Sequence, residues 1–96
     1  GKSIEFYQST ARLRHAKAQY FMGLFYAEGH GVLKDYDEAE KWLRKSVESG
    51  DADAKTYLGY LLEFGIGLDK DLVESRQLYR EAASAGHPWA KKRLSK

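Results

Sequence analysis

Residues 15–50 read HAKAQYFMGLFYAEGHGVLKDYDEAEKWLRKSVESG, and residues 51–86 read DADAKTYLGYLLEFGIGLDKDLVESRQLYREAASAG. Set one beneath the other without a gap, they agree at Ala16/Ala52, Ala18/Ala54, Gly23/Gly59, Gly29/Gly65, Gly31/Gly67, Lys34/Lys70, Asp35/Asp71, Glu38/Glu74, Arg44/Arg80 and Gly50/Gly86. Many of the remaining positions exchange one apolar residue for another, as at Met22/Leu58, Phe25/Leu61 and Trp42/Leu78. Self-similarity at a fixed period of this length is the mark of a repeat architecture, in which each unit buries its apolar face on its neighbour.

Each copy carries two helical patterns. Ala18, Phe21, Met22, Phe25 and Tyr26 fall at i, i+3, i+4, i+7 and i+8, as do Ala54, Tyr57, Leu58, Leu61 and Leu62. That spacing makes one stripe on a helix and does not suit a strand. We expect this stripe, with Trp42 and Tyr79, to be core. The second helix of each copy starts at Asp35-Tyr36-Asp37-Glu38 or Asp71-Leu72-Val73-Glu74. Both read as capping boxes, the Asp accepting from a free backbone N–H and the Glu reaching back to the cap. Gly50 and Gly86 end these helices, where a left-handed residue is needed. Gly29-x-Gly31 and Gly65-x-Gly67 make the connectors, with Val32 and Leu68 expected to tuck them against the helix pair. Gly23 and Gly59 sit mid-helix, where glycine costs about 1 kcal/mol against alanine; close approach of a neighbouring helix would account for it.

The residues Ala18…Met22-Gly23…Tyr26…Gly29-x-Gly31-Val32…Asp35…Ala39…Trp42…Gly50 resemble the Sel-one-like repeat (SLR) family, relatives of the tetratricopeptide repeat. The second copy matches with Ser75 and Leu78 in place of Ala and Trp. The resemblance covers essentially the whole chain. It implies an all-α fold, a right-handed α-α superhelix of antiparallel helix pairs, and a role as adaptor or scaffold with no catalytic motif. The predicted helices are roughly 3–13, 16–28, 36–49, 52–64 and 72–85, with a short sixth from 88. In repeat terms, 15–50 and 51–86 are full units, and 87–96 starts another. Residues 3–14 are the second helix of a partial unit, with Phe6 on Trp42, Tyr7 on Leu43, Thr10 on Ser46 and Ala11 on Val47. A start at Gly1 without Met suggests a processed or excised piece, and the compartment stays open.

The composition agrees with a folded repeat. Across 96 residues, 43% are hydrophobic and 31% charged, which is too apolar for a disordered chain. No apolar run approaches the roughly 18 residues that a membrane span needs. A net charge of +2 does not point to nucleic acid, which asks for a concentrated basic footprint. The basic group Lys91, Lys92, Arg93 and Lys96 reads as a solvated chain end. The absence of cysteine excludes disulfides and thiolate chemistry.

Chemistry is sparse. His15, His30 and His87 show no metal-ligand spacing, and two repeats would hold His15 and His87 about 20 Å apart at about 10 Å per repeat. Asp35/Asp37 and Asp51/Asp53 read as helix caps. No catalytic, cofactor or metal residues are assigned. The remaining candidate is the face opposite the stripe of the first-type helices: Tyr20, Leu24, Ala27, Thr56, Tyr60 and Glu63. In tetratricopeptide-like folds this face lines a concave groove, and it would take a protein or peptide. Whether Tyr20 and Tyr60 belong to that groove or to the core stays open. The leading reading is a non-enzymatic protein-interaction module. The alternative is an architectural segment that stacks on further repeats or on itself, without a separate ligand.

Overall fold

The computed structural model describes the backbone of residues 2–29 and 31–95, and the side chains of residues 14–29 and 31–95. The placements of Phe6, Tyr7, Thr10, Ala11 and His30 lie outside the described side chains. Five helices follow one another: α1 (Lys2–Glu28), α2 (Tyr36–Glu48), α3 (Ala52–Phe64), α4 (Leu72–Ser84) and α5 (Pro88–Leu94). No strand occurs among the described residues. The molecule measures 45 × 35 × 17 Å, and its thin dimension accommodates two layers of helix at 8–10 Å packing distance. One layer holds α1, α3 and α5, and the other holds α2 and α4. The fold is an all-α solenoid of antiparallel pairs.

The pairs close where side chains are small. An added Cβ at Gly23 would lie 2.7 Å from Leu43 Cγ and Cδ2, and one at Gly59 would lie 2.9 Å from Tyr79 Cε1 and 3.3 Å from the Ser75 carbonyl oxygen. Two serines reinforce the same seams: Ser46 Oγ donates to the Ala16 carbonyl and Ser75 Oγ to the Gly59 carbonyl, each at 2.7 Å. Between the pairs, Leu43, Ala54, Leu58, Leu61, Leu62 and Leu78 form the core, with Tyr36, Val47 and Leu68 packed against it. Arg44 crosses the surface above this seam, its Nη1 2.7 Å from Glu74 Oε2 and its Nη2 3.1 Å from Glu74 Oε1.

Four details depart from the sequence reading. First, residues 3–13 and 16–28 are one helix. The units end at Gly50 (φ 96°) and Gly86 (φ 93°), but the equivalent place at 14 holds arginine. A left-handed backbone is costly for arginine, so the helix runs through.

Second, the capping boxes are half formed. Asp35 accepts from the Asp37 and Glu38 N–H groups, and Asp71 from that of Glu74. The N–H groups of Asp35 and Asp71, however, donate to the Tyr26 and Leu62 carbonyls at 2.9 Å. With the cap N–H already bonded to the preceding helix, Glu38 pairs with Lys41 and Glu74 with Arg44.

Third, the stripe is core in one copy only. Ala54 is 0% and Leu61 1% exposed, whereas Phe21 is 47% and Phe25 43% exposed, and Ala18 is open too. The buried face of α1 is Ala16, Gln19, Gly23 and Ala27, turned toward α2. The core containing the α3 stripe also holds Leu43 of α2, and no described element plays that part for α1. Trp42 and Tyr57 are half-buried, and Tyr79 is buried.

Fourth, Leu68 packs on the core but Val32 is exposed. The connector carrying Leu68 lies against α2, so close that a Cβ at Gly67 would run into the Tyr36 ring, while Gly31 has open space around it.

Candidate partner-binding cleft

The first-layer helices bring their aromatic residues to one face. Tyr20 of α1, Thr56, Tyr57 and Tyr60 of α3, and Trp89 of α5 line an open cleft of about 260 Å3, with Asp53 and His87 completing it. Thr56 is buried, its Oγ1 donating to the Ala52 carbonyl at 2.9 Å. The rings are mutually inclined. Tyr57 and Tyr60 are 6.3 Å apart at 40°, and Tyr60 meets Trp89 edge-on at 5.8 Å and 77°. Trp89 also meets the buried Tyr79 edge-on at 5.7 Å. Such edge-to-face pairs add about 0.5–1.5 kcal/mol beyond area burial, so the rings are held in place before anything binds.

A polar network fixes one edge. Lys17 Nζ is 2.8 Å from Asp51 Oδ1 and 2.5 Å from Asp53 Oδ2. Burial works against the Lys17 charge, but its hydrogen bonds to the two aspartates outweigh that and hold its pKa above the ordinary lysine value. The bond from Lys17, with a second from His87, keeps Asp53 below the usual carboxylate range against burial. His87 Nε2 lies 2.8 Å from Asp53 Oδ1, and the Ala90 N–H donates to His87 Nδ1 at 3.4 Å. With Nδ1 accepting from Ala90 and Nε2 facing the Asp53 carboxylate, a hydrogen is assigned to Nε2. His87 thus caps α5 where Asp51 caps α3.

The six residues predicted for the groove divide. Tyr20 and Tyr60 are half-buried and line the cleft, together with Thr56. Ala27 is 2% exposed, on the face of α1 that packs on α2, so it has no surface to offer. Leu24 is half-buried and outside the cleft. Glu63 faces a separate recess with Tyr79 and Arg93. There the Tyr79 hydroxyl donates to it at 2.7 Å and Arg93 holds both its oxygens. Burial favours protonation of Glu63, yet these bonds keep its pKa below the ordinary value.

Sequence reasoning missed Asp53, Tyr57, His87 and Trp89. Tyr57 was counted in the core stripe, although it sits one helical step from Thr56 and thus at the stripe's edge. His87 and Trp89 were readable, since they lie 36 residues beyond Asp51 and Asp53 at the same phase. Among the described residues, no group of three or more His, Cys, Asp or Glu side chains is placed to hold a metal ion. None of the described helices is long and apolar enough to cross a membrane.

The model of the Sel1 repeat matches residues 16–51 and again 52–87. The chain belongs to the Sel1 repeat family. Two fungal relatives, the chitin synthase regulator SKT5 of Malassezia restricta and chitin synthase regulatory factor 3 of Schizosaccharomyces pombe, are each 35% identical, over 99% and 97% of this chain. The mouse DAP3-binding cell death enhancer 1 is 31% identical over 97% of it. The chain spans only 7%, 10% and 18% of these proteins' lengths. Among solved structures, a Sel1 repeat protein from Oxalobacter formigenes superposes with a TM-score of 0.80 at 37% identity, covering 82% of this chain and 32% of its own. The protective antigen c5321 of uropathogenic Escherichia coli, which has an SLR fold, gives 0.75 at 35% identity, over 78% of this chain and 16% of that one.

Proposed function

We propose that the chain is a non-catalytic protein-interaction module that holds a segment of a protein partner in the Tyr20–Tyr57–Tyr60–Trp89 cleft. The observation that carries this is a preformed aromatic surface assembled from three helices and stiffened from behind by Tyr79. Aromatic side chains supply large contact area at small entropic cost and dominate the energetics of interfaces. The names of the relatives agree, two being regulators of another enzyme and one a binding protein.

A peptide library displayed on phage, selected against the immobilised chain, tests the reading. Selected peptides should bind the wild type and lose about tenfold or more in affinity, ~1.4 kcal/mol, when Tyr20→Ala and Tyr60→Ala are combined. Far-UV ellipticity should stay unchanged. Peptides that bind the double variant equally well, or a library that yields none, would overturn it.

One observation favours a second reading, stacking on another repeat surface. Phe21 and Phe25 stand exposed where Tyr57 and Leu61 are packed. Solution mass measured across a concentration series separates the two. A mass that climbs with concentration and is returned to the monomer by Phe21→Glu supports stacking, and a constant monomer mass removes it.

A further inference from the structure

We propose that the open stripe of α1 is covered by residues 3–13 of a second copy of this chain, the two copies exchanging these segments around a two-fold axis beside Arg14. This inference rests on the stacking reading above, names its partner and is independent of the cleft.

The stripe runs the length of one helix. Arg14, Ala18, Phe21 and Phe25 are exposed and follow one another at steps of four, three and four residues. In the sequence the same alternation continues backwards through Ala11 and Tyr7 to Ile4, and the backbone there belongs to the same helix. Alternating steps of three and four keep a line of residues on one side of a helix, as in the seam of two paired helices. Arg14 is the only charged member of that line from Ile4 to Phe25, and its long side chain can carry the charge out to water.

The repeat indicates what belongs on such a stripe. The equivalent stripe of α3 shares a core with Leu43 of α2, and Val47 packs against that core. Thirty-six residues before Leu43 and Val47 stand Tyr7 and Ala11, in a segment with the phase of a second-type helix. The chain therefore carries both halves of an interface that it already makes between α2 and α3. Within one copy the halves are held apart. A turn through Gly50, at φ 96°, joins α2 to α3, whereas residue 14 continues its helix. At 1.5 Å per residue, residues 7 and 21 then stand about 20 Å apart along a single rod. A segment kept from folding back on its own chain can make the same contact with another copy, and the exchange is reciprocal.

The hairpin also sets the register. Gly50 is midway between the last residue of α2, Glu48, and the first of α3, Ala52. Its equivalent is Arg14, so two antiparallel α1 helices meet their two-fold axis there. Residue 7 of one copy is set beside residue 21 of the other, and residue 11 beside residues 17 and 18, in both directions. The seam thus matches small with small near the axis, Ala11 with Ala18, and ring with ring farther out, Tyr7 with Phe21.

Sedimentation equilibrium of the 96-residue chain across a concentration series tests the proposal. The mass is expected to rise to twice that of the chain and no further, because a reciprocal two-fold contact closes. Arg14→Gly restores the turn residue found at Gly50 and Gly86 and lets residues 3–13 fold back on their own stripe. It should move the midpoint of dimerisation to a concentration about tenfold higher or more. Arg14→Ala keeps the helix and should dimerise as the wild type does. Arg14→Cys, in a chain with no other cysteine, should give a disulfide-linked dimer under mild oxidation. Ile4→Cys, about 30 Å from its mate in the antiparallel pair, should not.

A constant monomer mass overturns the proposal together with the stacking reading. A mass that passes the dimer, a dimer indifferent to Arg14→Gly, or a link through Ile4→Cys and not through Arg14→Cys overturns the exchange while leaving the stacking reading in place.

Discussion

Gly59 illustrates how two residue-level effects compete. Alanine in its place gains about 1 kcal/mol of helix propensity. The new methyl would meet Tyr79 Cε1 at 2.9 Å, on a buried ring whose hydroxyl is bonded to Glu63 and which cannot swing aside without losing that bond. Overpacking of this kind costs about 1–3 kcal/mol. Packing therefore wins, and Gly59→Ala is expected to lower the urea midpoint of unfolding; a midpoint equal to or above wild type would show that the seam can open. Tyr57 gives a second test at this scale. Its phenol, pushed up to about 12 mainly by burial, should ionise late in an absorbance titration of the folded chain. The sign for stability follows: the unfolded phenol ionises near 10, so the contribution of Tyr57 is complete below that pH and is lost as pH rises toward the folded value. Tyr57→Phe should flatten the alkaline limb of a stability–pH curve.

At the scale of the element, helix bounds follow from local chemistry, and their partners do not. Asp35, Asp51 and Asp71 cap helices that start one residue later, and Gly50 and Gly86 stop the repeat-ending pair, all readable from residue type. The apolar period of Phe21 and Phe25 was equally readable, but a period reports that a stripe exists and not what covers it. For α3 the cover shares a core with Leu43; for α1 it is absent among the described residues, and the inward face turned out to be small residues, Ala16, Gly23 and Ala27. That is why three of the seven cleft residues, Tyr20, Thr56 and Tyr60, were legible and Ala27 was assigned to the wrong face. The unbroken α1 makes its own prediction. Arg14→Gly restores the residue that ends the other units and costs about 1 kcal/mol of helix propensity. Backbone amides around residue 14 should then exchange rapidly with solvent, together with a fall in ellipticity; protection that persists across position 14 would show that something other than the arginine holds the helix through.

For the whole molecule, stability is a matter of two hairpins and the seam between them. Arg44 and Glu74 span that seam with both side chains partly in water, and a pair of this exposure contributes at most about 1 kcal/mol. Glu74→Gln is expected to cost no more than that, with the loss shrinking in molar salt. Leu58→Ala, at 0% exposure in the shared core, should cost about 2–5 kcal/mol and be insensitive to salt. A Glu74→Gln loss as large as that of Leu58→Ala would mean that the surface pair, and not the leucine core, joins the hairpins.

The reach of the interhelical bonds has a kinetic consequence. Lys17–Asp53, Ser46–Ala16, Arg44–Glu74, Ser75–Gly59, His87–Asp53 and Arg93–Glu63 join residues 16 to 36 apart in sequence. None ties the beginning of the chain to its end. The loops that folding must close are therefore short, and the entropy of closing them is small and much the same for each hairpin. Contact order is low, which places such a chain among the microsecond-to-millisecond folders. A solenoid of this kind gains length without slowing its own folding, because every added hairpin closes only onto its neighbour.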